Sequence, residues 1–369
     1  MHREPQVRSR KLTETGGHFD GVCTDVSMMF HDQWQTAQTF GRGIIVKRLH
    51  SQDRIDIIDS HRVRSPRTSL RCSPPVPRAV GHPLSPPNLL DIMPRIIAVS
   101  NQKGGVGKTT TAVNLATALA LEDYMVLLVD LDPQGNASSG LSVPKSEVNV
   151  GVADVLLGFR ELPDAVVPTC VDGLHLLPAT RELIGLEIEL VEASRREYRL
   201  KRALESFAKP YDFVIIDCPP SLNMLTINGL AASDGVLIPV QAEYYAMEGL
   251  SELLRAMNQI QKGGLNRSLR REGILLTMVD RRTRLCRDVV DQLRDVFGNE
   301  VFQTEIPRNI RLGEAPSFGK PVHAYDPLCR GAVSYTNLAL ELLERMAAEN
   351  PDGAEESVGT PYLRTVEAS

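Results

Sequence analysis

Eight residues constrain this chain more than any others: Lys103-Gly104-Gly105-Val106-Gly107-Lys108-Thr109-Thr110. They follow an apolar run, Ile96-Ile97-Ala98-Val99, and precede a segment with Ala112, Leu115, Ala116 and Leu119 at helical spacing. A strand, a glycine-rich turn and a helix in that order make a phosphate cradle. Backbone N–H groups can turn inward toward an anion, and the helix N-terminus adds partial positive charge. Lys108 is placed to reach the β- and γ-phosphates of a nucleotide, and the Thr109 hydroxyl to ligate Mg²⁺. Gln102 stands where the common phosphate-loop consensus has glycine, and a second lysine, Lys103, opens the loop. A dinucleotide-binding turn is disfavoured, because its third glycine position holds Thr110.

Two further apolar runs end in acids. Leu127-Leu128-Val129-Asp130 leads into Leu131-Asp132-Pro133-Gln134-Gly135-Asn136, and Phe213-Val214-Ile215-Ile216-Asp217 leads into Cys218-Pro219-Pro220-Ser221. An acid at the C-terminal end of a buried parallel strand lies where a loop-bound Mg²⁺ would sit. Asp217 is therefore expected in the Mg²⁺ shell, through water. Asp132, in a turn beyond its strand, is the better candidate for positioning or activating the attacking water. Turn capping is the common alternative role for an Asp before Pro.

With these blocks in hand, the chain resembles the ParA family of chromosome and plasmid partitioning ATPases, in its short chromosomal form. The resemblance also rests on Pro239 to Leu250, on Thr277 to Thr283, and on Ile306 to Ser317, and it spans residues 94 to about 348. It implies ATP and Mg²⁺ as cofactors and ATP hydrolysis as the activity. It implies an ATP-dependent homodimer in which Lys103 crosses to the partner's nucleotide, neutralising γ-phosphate charge across the interface. It also implies that Pro307 and Asn309 hold the adenine, that a ParB-like protein stimulates turnover, and that the dimer binds double-stranded DNA without sequence preference. Arg281 and Arg311 are the firmest carry-overs for that DNA contact, with Arg282, Arg284, Arg287 and Arg308 close by in sequence. Arginines on phosphates give salt-sensitive affinity without base reading. The expected location is the cytoplasm, on the nucleoid.

Charge is divided unevenly. Residues 1–92 hold 13 of the 41 Lys and Arg and 9 of the 46 Asp and Glu, leaving 28 basic and 37 acidic residues in 93–369. DNA binding by so acidic a body must come from a local patch. Residues 1–92 also hold six of the eight histidines and the one Trp, with a proline-rich stretch from Pro74 to Pro87. Little sustained period of 3.6 or 2 runs through them. They are expected to be a disordered extension, or upstream sequence read from too early a start, with Met93 opening the ATPase domain of 93–348. A DNA-reading domain ahead of the ATPase is the alternative. Residues 349–369 read as an acidic flexible tail. The six cysteines are scattered without a C-x-x-C pair, which argues against a zinc site or a disulfide framework.

Residues 94–348 alternate between strand and helix signals. Strands are expected at 95–100, 125–130, 174–178, 212–217, 235–240, 273–279 and 301–305. Helices are expected at 108–121, 181–192, 197–208, 222–233, 246–262, 285–297 and 332–347. Continuous apolar strand runs imply burial on both faces, hence an α/β fold with a mostly parallel central sheet covered by helices. No run is long enough to span a membrane. A MinD-like membrane-associated regulator of cell division is an alternative within the same branch, but its basic amphipathic C-terminal helix is replaced here by acids. A ParA-like ATPase that positions a non-DNA cargo is the other alternative.

Overall fold

The computed structural model describes strand residues 25–30, 33–40 and 43–46, and residues 93–349 other than 145, 147, 191, 192, 208 and 209. Two units are distinguished, Met1–Gly81 and His82–Ser369. In the first, β1 (Asp25–Phe30), β2 (Gln33–Phe40) and β3 (Gly43–Val46) form an antiparallel sheet in that order. The other residues of the expected extension, and residues 350–369 of the expected tail, lie outside the described residues.

The second unit opens with β4 (Arg95–Val99), α1 (Lys108–Leu121) and β5 (Val126–Asp130). Three short helices follow: α2 (Asn136–Gly140), α3 (Val152–Leu157) and α4 (Leu162–Ala165). Next come β6 (Val167–Pro168), β7 (Leu174–Leu177), α5 (Leu186–Glu189), α6 (Arg199–Phe207) and β8 (Phe213–Asp217). Then α7 (Met224–Ala232), β9 (Gly235–Gln241), α8 (Ala246–Lys262), β10 (Arg270–Val279), α9 (Arg284–Phe297) and β11 (Val301–Pro307) complete the sheet. The C-terminal part adds α10 (Ile310–Glu314), α11 (Val322–Tyr325) and α12 (Arg330–Glu349).

The sheet has eight strands in the order β11-β10-β9-β4-β8-β5-β7-β6. All neighbours are parallel except β6 and β7. Its central strands explain the apolar runs. All residues of β5 and β8 are buried, and their side chains alternate between two apolar layers. Leu127, Val129, Val214 and Ile216 face the layer built from α3, α6, α7, α8 and α9. Val126, Leu128, Phe213 and Ile215 face the layer built from α1 and α12. Strand alternation thus persists, but both faces are covered, so no polar face appears.

Seven strands and most helices fall where the sequence places them. The expected helix 181–192 does not run through: a 3₁₀ turn, Arg181–Ile184, is separated from α5 by Gly185, a residue that disfavours helix interiors. The short helices α2, α3, α4, α10 and α11 are additional, each too brief for a periodic signal.

β10 carries an extra constraint. Gly273 has φ +157°, and a Cβ there would overlap the ring of Phe302 and meet the Glu300 carbonyl. Phe302 is fully buried, with the Arg345 guanidinium 4.0 Å from its ring centroid. Gly273→Ala should lower unfolding free energy by about 2 kcal/mol, as for overpacking of a tight core. A urea series should show this as a lower midpoint at unchanged slope.

Candidate active site

The phosphate loop hangs between the ends of three strands. Val99, Asp217 and Asp130 end β4, β8 and β5 in mutual register. The chain then turns left-handed at Gly105 (φ 76°) and Gly107 (φ 87°), and Gly107 caps α1. A side chain would strain both positions. Thr111 N–H donates to the Gly107 carbonyl at 2.8 Å, closing the first turn. The Thr111 hydroxyl lies 3.2 Å from the buried hydroxyl of Tyr335 on α12.

Three buried polar side chains fix the loop. Asn101 donates to the Pro239 carbonyl at 2.7 Å and accepts the Lys103 N–H at 2.9 Å, tying the loop entrance to β9. The Thr277 hydroxyl donates to the Val106 carbonyl at 2.8 Å, tying the loop tip to β10. Asn114 donates to the Thr110 carbonyl at 2.8 Å and accepts the Val322 N–H at 2.8 Å, tying α1 to α11.

The two lysines differ in setting. Lys108 is buried, and its Nζ donates to the Lys103 carbonyl at 2.9 Å. Burial pulls its pKa below the usual lysine value, opposed chiefly by the nearby Asp217 and Asp132 carboxylates. Lys103 is partly exposed and lies 3.4 Å from the Glu243 carboxylate. Beyond Glu243, Tyr244 and Tyr245 stand exposed, their rings edge to face at 5.1 Å.

The acids divide in the same way. Asp130 is fully buried; its Oδ2 accepts the Ser138 N–H at 2.8 Å and the Ser138 hydroxyl at 2.7 Å. Burial raises its pKa to about 6, against the lowering effect of those donors. Asp217, directly opposite, is also fully buried, and neither carboxylate oxygen has a hydrogen-bond partner. Burial and the Asp130 charge push its pKa well up, while Thr109 and Lys108 favour the charged form. A buried carboxylate with orphaned oxygens next to a loop threonine hydroxyl is a fitting donor set for Mg²⁺. Asp132 is 7 % exposed and its Oδ1 accepts the Gln134 N–H at 2.8 Å, so part of its capacity goes to the turn.

Pro307 and Asn309 stand apart from the first turn of α1. Pro307 ends β11 opposite Val279, and the Asn309 side chain caps α10 by accepting the Arg311 N–H at 2.8 Å. A cleft of about 410 Å³ beside the loop is walled by Thr109, Thr110, Asn114, Asn136, Pro316 and Lys320, among others. A second cleft, about 750 Å³, brings Arg281, Arg282 and Arg308 together with Pro307 and Arg330.

Both arginines carried over for DNA contact are paired within the chain. Arg281 bonds to Glu305 through two nitrogens and lies 3.9 Å from Asp291. Arg311 lies 2.8 Å from Glu314 and 3.2 Å from Asp326. Arg308 and Arg330, both exposed, make no ion pair among the described residues.

Asn101, Asn114, Thr277 and Asp130 have site roles that sequence reasoning did not assign. Asp130 was visible as an acid ending an apolar run; the partners of the other three come from distant strands and helices.

A parallel sheet with a lysine-bearing glycine loop at its C-terminal edge, facing buried strand-end acids, defines a phosphate-loop nucleotide hydrolase. Residues 94–271 match the family model described as an AAA domain. The sporulation initiation inhibitor protein Soj of Bacillus subtilis is 55% identical over 250 residues, covering 68% of this chain and 98% of Soj. The chromosome partitioning protein ParA of Myxococcus xanthus is 50% identical, covering 70% of this chain and 90% of that protein. Among solved structures, cobyrinic acid a,c-diamide synthase from Mycobacterium smegmatis with bound ADP and magnesium aligns with a TM-score of 0.61. It is 39% identical, covering 70% of this chain and 97% of that one.

The chain belongs to the Soj/ParA family of chromosome-partitioning ATPases. It is an ATP hydrolase. Among the described residues, no helix is long and apolar enough to cross a membrane.

Thr277→Val keeps the shape but leaves the Val106 carbonyl unpaired. It should destabilise the fold by about 1–3 kcal/mol. It should also weaken ADP binding by roughly tenfold, the equivalent of about 1.4 kcal/mol. Urea unfolding and calorimetric ADP titration check the two effects.

Proposed function

We propose that this chain is a DNA-segregation motor: two copies sandwich two ATP molecules, bind duplex DNA non-specifically, and separate after hydrolysis stimulated by a ParB-like partner. The observation that carries this proposal is the unequal placement of the two loop lysines. Lys108 is buried inside its own loop, whereas the Lys103 ammonium sits at the partly exposed mouth, 3.4 Å from exposed Glu243. A surface ion pair of that kind is worth little, so Lys103 is free to trade Glu243 for the γ-phosphate of a nucleotide bound to a second copy. ATP then favours the dimer, and losing the γ-phosphate releases it. The site of action is the cytoplasm, on the nucleoid.

Within each subunit, backbone N–H groups of Gly104 to Thr110 cradle the phosphates and Lys108 neutralises them. Thr109 and, through water, Asp217 would hold the Mg²⁺, which would supply charge compensation at the phosphates. Asp132 positions the attacking water from the turn beyond β5, and Pro307 and Asn309 flank the adenine. Asp132→Ala should therefore retain ATP binding and ATP-dependent dimerisation while phosphate release falls at least about 100-fold, the usual scale for removing a positioned base. Wild-type turnover in this variant would assign Asp132 to the turn alone.

For DNA, the support is the grouping of Arg281, Arg282, Arg308 and Arg330 around one cleft on an otherwise acidic body. Arg281 and Arg311 must exchange carboxylates for phosphates, which makes binding steeply salt-dependent. Arg281→Glu with Arg311→Glu should weaken binding to random-sequence duplex and flatten its salt slope by about 2. ATP-dependent dimerisation should survive. Unchanged affinity and slope across a salt series would place the DNA surface elsewhere and favour a non-DNA cargo.

A further inference from the structure

Four non-glycine residues have a left-handed backbone among the described residues: Asp123, Ser142, Arg195 and Met278. The first three lie in turns next to helix ends. Met278 is different. It is apolar, it sits inside β10, and its φ is 51°. A left-handed backbone crowds the Cβ of any residue but glycine, so the conformation is unfavourable unless its surroundings impose it. Core packing does not account for it. Met278 is half-buried and belongs to neither of the apolar layers that cover the sheet.

The strand ladder shows how the backbone reaches this state. Leu276 pairs with Glu305 and Val279 with Pro307, three steps on β10 against two on β11. One extra residue is thus inserted into β10 as a bulge, and the ladder to β9 stops at Thr277. In a regular strand Thr277 and Met278 would point to opposite faces. A bulge re-aims a side chain. Here both residues converge on Gly107 of the phosphate loop. A Cβ on Gly107 would lie 3.9 Å from Met278 Cε and 3.9 Å from Thr277 Cγ2. Gly104 and Gly105 have no such cover, for a Cβ on either would meet nothing within 4 Å beyond its chain neighbours.

We propose that the bulge is a two-pronged clamp on Gly107, and that Met278 is a positioning residue for the nucleotide. The inference rests on Gly104 to Thr110 taking the phosphates. Glycine populates many backbone states, so an unclamped loop would visit its cradle shape only part of the time. The Thr277 hydroxyl fixes the preceding carbonyl, that of Val106, at 2.8 Å. The Met278 methyl fills the space next to where a Gly107 side chain would stand, which blocks the backbone from swinging that way. Together they set the direction of Lys108 and Thr109, the next two residues and the first of α1. Affinity falls in proportion to the fraction of time a site is competent. The clamp therefore tightens nucleotide binding without touching the nucleotide.

The test is calorimetric titration of the full chain with ADP and Mg²⁺, together with steady-state ATP hydrolysis. Met278→Gly suits a φ of 51° and should resist urea as well as the wild type. It should nevertheless bind ADP about tenfold more weakly at unchanged stoichiometry, as for a loop competent about a tenth of the time. KM for ATP should rise by a larger factor than kcat falls. Met278→Ala, which keeps the Cβ and loses the methyl prong, should behave alike, and it decides the matter if Met278→Gly is not recovered folded. A Met278 that only supports the fold would instead lower stoichiometry and kcat together, through loss of folded protein, at unchanged Kd and KM. That result, or a wild-type Kd in a folded variant, overturns the proposal. Lys108→Ala is the control. If it binds ADP as tightly as the wild type, the phosphate-loop assignment fails and this inference with it. Loss of affinity in Lys108→Ala with none in the Met278 variants overturns the clamp alone.

Discussion

Two carboxylates removed from water at facing strand ends set the terms for the whole nucleotide site. Taking an ion out of water costs several kcal/mol unless something else solvates it. Asp130 solves this locally, with the Ser138 N–H and hydroxyl as donors. That solution also fixes α2, because Ser138 lies within it and its hydroxyl in turn accepts the Ala179 N–H at 3.1 Å. Asp217 has no such donors, so its charge depends on Lys108, on Thr109 and on whatever cation arrives. Chemically identical residues in register on adjacent strands therefore diverge, one satisfied by local donors and the other left without them.

The fold and the phosphate loop were legible because their signals are local. Continuous apolar runs and a glycine-lysine-threonine string need no partner to be recognised. Asn101, Asn114 and Thr277 were not legible as site residues, because their importance comes from carbonyls and amides more than a hundred residues away. The surface arginines fall between these cases. Arg281 and Arg311 stand out in the sequence as cations, yet Glu305 and Glu314, which share their charge, become neighbours only when β11 and α10 form. The interrupted helix at Gly185 shows the same limit in reverse, since an apolar period alone does not register how little a glycine resists breaking.

Charge is managed differently at the two kinds of surface. At the loop mouth, the Lys103 ammonium has an exposed and weakly held carboxylate partner in Glu243. Along β11, by contrast, Glu341 is engaged by two backbone donors and one guanidinium, a set that has no slack. The first arrangement suits exchange and the second suits permanence. Both are built from the same Arg, Lys and Glu, so composition could not have separated them.

The bond between Thr111 and Tyr335 has a consequence for how the protein is made. The helix that carries the phosphate loop emerges from the ribosome early, but its buried hydroxyl and much of its apolar cover wait for α12, some two hundred residues later. Until α12 docks, α1 has one face uncovered, and a chain stopped short of it would present the loop on an unsupported element. Full support of the phosphate-loop helix thus waits for α12.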